Sequence, residues 1–156
     1  MNWEAIGAIG EIVGALAVVV SLVYLGLQIR TQNNETQMSS VHDILEALRN
    51  EVSAFKNSEN ATLYAKGTAD FDCLSDAEQI QYIALSLGPM RVWEEAYLQY
   101  VSGRLEEKTW NALRAQYVDI RSAPGPERVW QLRKHTFSED FREYSDALEK
   151  GSYITK

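Results

Sequence analysis

Between Ala5 and Ile29 the chain reads AIGAIGEIVGALAVVVSLVYLGLQI, and only Glu11, Ser21 and Gln28 interrupt its apolar character. A helix rises 1.5 Å per residue, so about twenty such residues cross the hydrocarbon core of a bilayer. This stretch is longer than that and has room for tilt. Trp3 precedes it, Tyr24 lies near its far end and Arg30 closes it, which is the aromatic and basic flanking expected at the headgroups. The sequence therefore predicts a retained membrane-spanning helix over residues 1–30, with the lipid bilayer as its first partner. A cleaved signal peptide fits less well. No Lys or Arg stands in front of the run, the run is too long for an h-region, and its one small-x-small tripeptide, Ala15-Leu16-Ala17, lies inside it.

Basic residues follow the run and none precedes it: Arg30 is close, Arg49 and Lys56 are farther on. The excess of positive charge on the cytoplasmic side of membrane proteins then places the N-terminus outside and the remaining domain in the cytoplasm. The sequons Asn34-Glu35-Thr36 and Asn60-Ala61-Thr62 would matter only in a secretory lumen, and are read as chance.

The run has two different sides. Gly7, Gly10, Gly14, Ala17 and Ser21 recur every three or four positions and so share one face, which Tyr24 and Gln28 extend. Gly10 and Gly14 form a GxxxG pair, and small residues let two helix backbones approach where lipid supplies no hydrophobic drive. The opposite side carries Ile12, Leu16, Val19, Val20, Val23 and Leu27, all bulky. Small against bulky is the pattern of a helix with protein on one side and lipid on the other, so Gly7, Gly10, Gly14, Ala17 and Ser21 are the expected helix-packing residues. Glu4 and Glu11 lie beside that seam. With the span counted from Ala5, Glu11 is about 9 Å deep and needs a partner, a proton or water. With it counted from Ile12 to Ile29, still about 27 Å, Glu11 stays at the headgroup boundary. In a symmetric ring the two carboxylates would form a girdle of the kind that attracts cations.

The rest of the chain is acidic and polar. Over all 156 residues Asp and Glu outnumber Lys and Arg by 22 to 15, for a formal charge of −7, whereas a protein that tracks phosphates needs a positive stripe. Nucleic acid is excluded as an expected partner. Residues 31–40 are polar without Pro or Gly and read as a stalk or an extension of the first helix. Residues 41–156 read as a helical domain. Val41, Ile44, Leu45, Leu48, Val52 and Phe55 recur at helical spacing, a short helix covers Ala61 to Gly67, and Thr68 to Leu74 forms a connection. Ser75 and Glu78 match a capping box. The long helix it launches runs through Trp93 to Val101, with Pro89 expected to kink or split it. Gly103 ends it. A helix follows from Glu106 to Ser122, Ala123-Pro124-Gly125-Pro126 breaks the chain, a further helix runs to Phe137, and Ser138 caps a last one carrying Phe141, Tyr144 and Leu148. No run alternates as a strand does. The expected fold is all-α: one N-terminal transmembrane helix followed by a small helical bundle.

Several pieces of this chain occur together elsewhere: AIGEIVGALAVVVSLVYLGLQIR followed by Gln32 and Asn33, DFD-x-LS before a helix, WEEAYLQY before a glycine, Trp110, and PG before a tryptophan and the pair Phe137 and Phe141. In this combination the sequence resembles, end to end, a family of bacterial membrane-anchored proteins of similar length to which no activity is assigned. The resemblance implies a bacterial inner membrane location and adds no functional residues.

Chemistry finds little foothold. His42 and His135 are far apart and show no zinc-binding spacing. The single cysteine, Cys73, follows Asp70 and Asp72, whose charge disfavours a thiolate, and those two carboxylates lack the later ligands of a calcium loop. No catalytic, cofactor-binding or metal residues are expected. Positive charge concentrates only at Arg128, Arg133, Lys134 and His135 around Trp130, where Arg128, Arg133 and Lys134 are candidates for contact with anionic lipid. The reading that follows is a membrane-anchored structural or assembly protein, a homo-oligomer or an accessory subunit of a membrane complex. The alternative is a small ion-conducting ring with Glu4 and Glu11 at its mouth.

Overall fold

The computed structural model describes residues 2–149 and Gly151, apart from the side chains at 5, 6, 8 and 9. Among the described residues there are six α-helices, three single 3-10 turns and no strand. The helices are α1 (Trp3–Ser53), α2 (Ser58–Ala69), α3 (Asp76–Val101), α4 (Glu107–Arg121), α5 (Pro124–Arg133) and α6 (Glu139–Asp146). The chain divides into two compact units, Met1–Met38 and Ser39–Lys156. Residues 31–40 are helical throughout.

In the second unit the helix ends follow from local chemistry. Asn57 caps α2 by accepting the Glu59 amide at 2.8 Å, and α2 runs farther than its apolar spacing suggests, so the connection shrinks to residues 70–75. There the Asp70 carboxylate accepts the Asp72 amide at 3.0 Å. Ser75 and Glu78 form the reciprocal capping box at the start of α3, satisfying amides that a helix start otherwise leaves free. Pro89 does not split α3, although its ring nitrogen has no hydrogen to give the Leu85 carbonyl. Met90, Val92, Trp93 and Ala96 are all buried just beyond it, and that packing holds the helix through the break. Gly103 adopts φ +74°, the left-handed conformation that ends helices and that a Cβ resists.

Two expectations are corrected. Pro124-Gly125-Pro126 is not a loop but the first turn of α5, where a missing N–H costs nothing because that amide has no helical partner anyway. The helix it opens ends at Arg133, and a 3-10 turn at Lys134–Thr136 leads to Phe137. Ser138 does precede α6, but its side chain caps nothing. Instead its backbone amide donates to Glu94 Oε1 at 2.7 Å, across from α3.

The core is aromatic. Trp93, Trp130, Tyr82, Tyr117 and Phe141 are fully buried, and four of these rings form a continuous chain: Tyr117 lies 5.2 Å from Trp93 and 5.7 Å from Phe141, which meets Trp130 edge-on at 5.9 Å, while Tyr82 packs against Phe71 at 5.9 Å. Each such ring removes on the order of 150–250 Å² from water, or roughly 4–6 kcal/mol before entropy is subtracted. That is how a small helical unit assembles a stable centre. Helices α2 and α5 meet backbone to backbone at Gly67 and Gly125: a Cβ on Gly125 would overlap the Gly67 carbonyl oxygen and come within 2.8 Å of its carbon.

Candidate functional site

Among the described residues, α1 is the helix long and apolar enough to cross a membrane, with mean hydropathy 2.4 over its most apolar stretch and none of that stretch buried. A core helix of such composition would be covered by its own chain. Here twelve large apolar side chains from Ile12 to Ile29 are each half exposed or more. At roughly 80–100 Å² apiece they present on the order of 1,000 Å², against the few hundred Å² of the largest apolar patch on an ordinary soluble monomer.

The candidate packing residues Gly7, Gly10, Gly14, Ala17 and Ser21 are all exposed. Among the described residues, a Cβ built on Gly7, Gly10 or Gly14 would meet nothing within 4 Å. The Ser21 hydroxyl donates to the Ala17 carbonyl at 2.8 Å, so it is satisfied within its own helix and adds no desolvation penalty in lipid. Thr31 does the same with Leu27 at 3.1 Å. Glu4 and Glu11 are exposed, and among the described residues no cation lies within ion-pairing distance of either.

The basic cluster is largely spent on its own unit. Lys134 pairs with Asp146 at 2.8 Å and Arg128 approaches Asp72 at 3.8 Å. Arg133 is half-buried and donates to its neighbour's carbonyl, Leu132 O, at 3.4 Å.

Three assemblies were not visible in the sequence. The first is a buried arginine. Arg121 at the end of α4 donates to the Ser145 carbonyl and, at 2.5 Å, to the Ser145 hydroxyl, pairs with Glu127 at 3.3 Å, and lies 4.9 Å over the Trp130 ring. The Tyr117 and Ser145 hydroxyls are 2.6 Å apart, and Trp130 Nε1 donates to Asp146 at 2.8 Å. One guanidinium thus ties α4, α5 and α6 together. Burial pushes the Asp146 carboxyl up, but Lys134 and the Trp130 N–H pull harder, and it titrates below its ordinary value.

The second is a clamp between α3 and the start of α6. Arg91 bonds Glu94 at 2.7 Å and both Thr136 oxygens at 2.9 Å, and lies 3.9 Å over the Phe137 ring. Burial raises the Glu94 carboxyl, but the Ser138 amide and Arg91 outweigh it and the net shift is downward. The third is a cavity of about 170 Å³ beside α3, walled by apolar side chains and by Glu51, Tyr64, Ser86, Trp93 and Gln116. No group of three or more His, Cys, Asp or Glu side chains among the described residues could hold a metal ion.

No family model, curated protein or solved structure matches the chain. The functional reading therefore rests on the geometry of this molecule.

Proposed function

We propose that this is a single-pass membrane-anchored assembly protein. Its N-terminal helix spans the bacterial inner membrane and packs through Gly7, Gly10, Gly14, Ala17 and Ser21 against another membrane helix, from a second copy or from the complex it serves. The observation that carries the reading is the exposure of the most apolar stretch of the chain, which its own fold leaves uncovered and which water would not tolerate at that size. Among the described residues nothing lies within 4 Å of a Cβ built on Gly7, Gly10 or Gly14, which supports a partner on that side, because close backbone approach is what small residues contribute to membrane helix association. Arg30 after the span favours a cytoplasmic location for the second unit.

Mass in mild detergent tests the assembly. The wild type should run as an oligomer or bound to a partner, and Gly10→Leu with Gly14→Leu should reduce it to a monomer; monomeric wild type extracted alone from native membranes would sink the reading. Carbonate extraction tests the anchor, since a protein released into the supernatant would not span the bilayer. A ring with Glu4 and Glu11 at its mouth is a more symmetric version of the same assembly. Cation currents altered by Glu11→Gln in reconstituted bilayers would mark it, and electrically silent bilayers would exclude it.

A further inference from the structure

Over residues 31–53 the apolar side chains of α1 sort into two sets. Val41, Ile44, Ala47 and Leu48 pack into or against the core of the second unit, and Ile44 is only 1% exposed. Met38, Leu45 and Val52 do not: they are 72%, 47% and 57% exposed. Among the described residues no other large apolar side chain of this stretch is exposed. The three stand seven positions apart in the sequence. A straight helix drifts about 20° per seven residues, so a strict repeat of seven stays on one side only where the helix coils about a neighbour. Half-buried Val41 and Leu48 fall between them, so that 38, 41, 45, 48 and 52 advance in steps of three and four, as the a and d positions of a coiled coil do. His42 and Arg49, both exposed, take the polar flanking positions. The core of the second unit accounts for one apolar stripe on this helix and leaves the other uncovered.

The size of that stripe decides what covers it. Three side chains at roughly 80–100 Å² apiece offer on the order of 250–300 Å², against about 800 Å² per partner in a stable interface. A protein arriving from solution is not held by so little. A helix already joined through the span is, because the second contact is then intramolecular, at an effective concentration on the order of millimolar. The register agrees with this. Counted back in sevens from Met38 it falls on Thr31, Tyr24, Ala17 and Gly10, the last three of which belong to the seam assigned above to helix packing. Copies of one chain inserted in one membrane point the same way, so like residue faces like residue.

We propose that, beyond the membrane, α1 packs in parallel against α1 of a second copy of this chain through Leu45 and Val52, in the register that Met38 begins. This rests on the reading of α1 as a span and names the partner which that reading left open.

Disulfide trapping in isolated native membranes tests it. Cys73 is exposed and is the one cysteine of the chain, so single cysteines are placed in the full chain carrying Cys73→Ser and oxidised with copper phenanthroline. A disulfide needs Cα atoms within about 7 Å of each other. Leu45→Cys and Val52→Cys should therefore give linked dimers, and Asp43→Cys and Asn50→Cys, exposed on another side of the same helix, should not. All four side chains are exposed or, at 45 and 52, about half exposed, and an unchanged near-ultraviolet circular dichroism spectrum checks that the fold is kept. Ala17→Cys reads the span by itself. Dimers at Ala17→Cys with none at 45 and 52 would leave self-association of the span standing and overturn the pairing beyond it. Equal yields at 43, 45, 50 and 52 would mark random collision and overturn it too. So would no dimer at any of the five positions, and carbonate extraction of the same membranes then shows whether the anchor itself fails.

Discussion

Gly125→Ala tests the packing of the second unit at its tightest point. The added methyl would overlap the Gly67 carbonyl oxygen and fall 2.6 Å from the Tyr82 hydroxyl, which is 3.1 Å from Thr68 Oγ1. A flexible side chain could yield, but here the obstacle is backbone, and Gly125 is itself held between Pro124 and Pro126, whose φ angles are fixed. The strain is relieved only by moving α2 away from α5. Overpacking of this kind costs about 1–3 kcal/mol, disturbing the Tyr82 hydrogen bond adds about 1 kcal/mol, and replacing glycine in a helix returns about 0.5 kcal/mol. A net loss of about 2–3 kcal/mol follows. For a unit of roughly 120 residues the unfolding entropy is about 0.25 kcal/mol per kelvin, so the midpoint should fall by roughly 10 °C. Near-ultraviolet circular dichroism of the full chain in detergent reports this melt through Trp93, Trp110 and Trp130, all buried in the second unit. Gly103→Ala is the control: it meets open space but must hold φ +74°, and should cost about 1 kcal/mol. A Gly125→Ala midpoint equal to that of the wild type would mean that the two helices do not meet backbone to backbone.

The buried arginine and the α3 clamp give further tests. Arg121→Met removes both bonds to Ser145 and the ion pair with Glu127. Stranding a fully buried partner costs about 3–5 kcal/mol, but the Glu127 and Asp146 side chains are 21% and 40% exposed and regain water, so a loss of about 2 kcal/mol in urea unfolding is expected; no loss would leave the arginine without a structural role. Glu94 titrates below its ordinary 4.5 in the folded chain, so its contribution is complete above that value and disappears as the pH falls through the lower folded value. The stability difference between wild type and Glu94→Gln should therefore be constant near neutrality and shrink in acid, and a difference independent of pH down to about 3 would refute the clamp. Gly67→Ala should also destabilise, since its Cβ would come 2.9 Å from Leu74 and within 2.7 Å of the Tyr82 ring, but less than Gly125→Ala because side chains can give way.

What was legible in the sequence is what neighbours along the chain decide. The apolar run of α1, the capping box of Ser75 and Glu78 and the positive-φ glycine at 103 each depend on residues within a turn or two, and a single sequence contains all of that information. Ser138 was misread because the group that claims its amide, Glu94, is 44 positions away. The basic cluster looked free because Asp72 and Asp146 reach Arg128 and Lys134 only once α2, α5 and α6 have packed. The cavity was hidden for the same reason, with a further cause. Gly88 and Pro89 read as a weak point in a helix, yet Gly88 supplies the bare surface on which the Glu51 carboxylate rests, and Pro89 is part of the wall. Residues that looked like defects in α3 are thus the ones that make room beside it. This distinguishes the two candidate surfaces physically. The α1 face is defined by what one helix lacks, bulk on one side, and so is visible in a one-dimensional pattern. The cavity is defined by what five helices, α1 to α5, leave unfilled between residues from Leu48 to Pro126, and no pattern within a turn or two of any of them announces it.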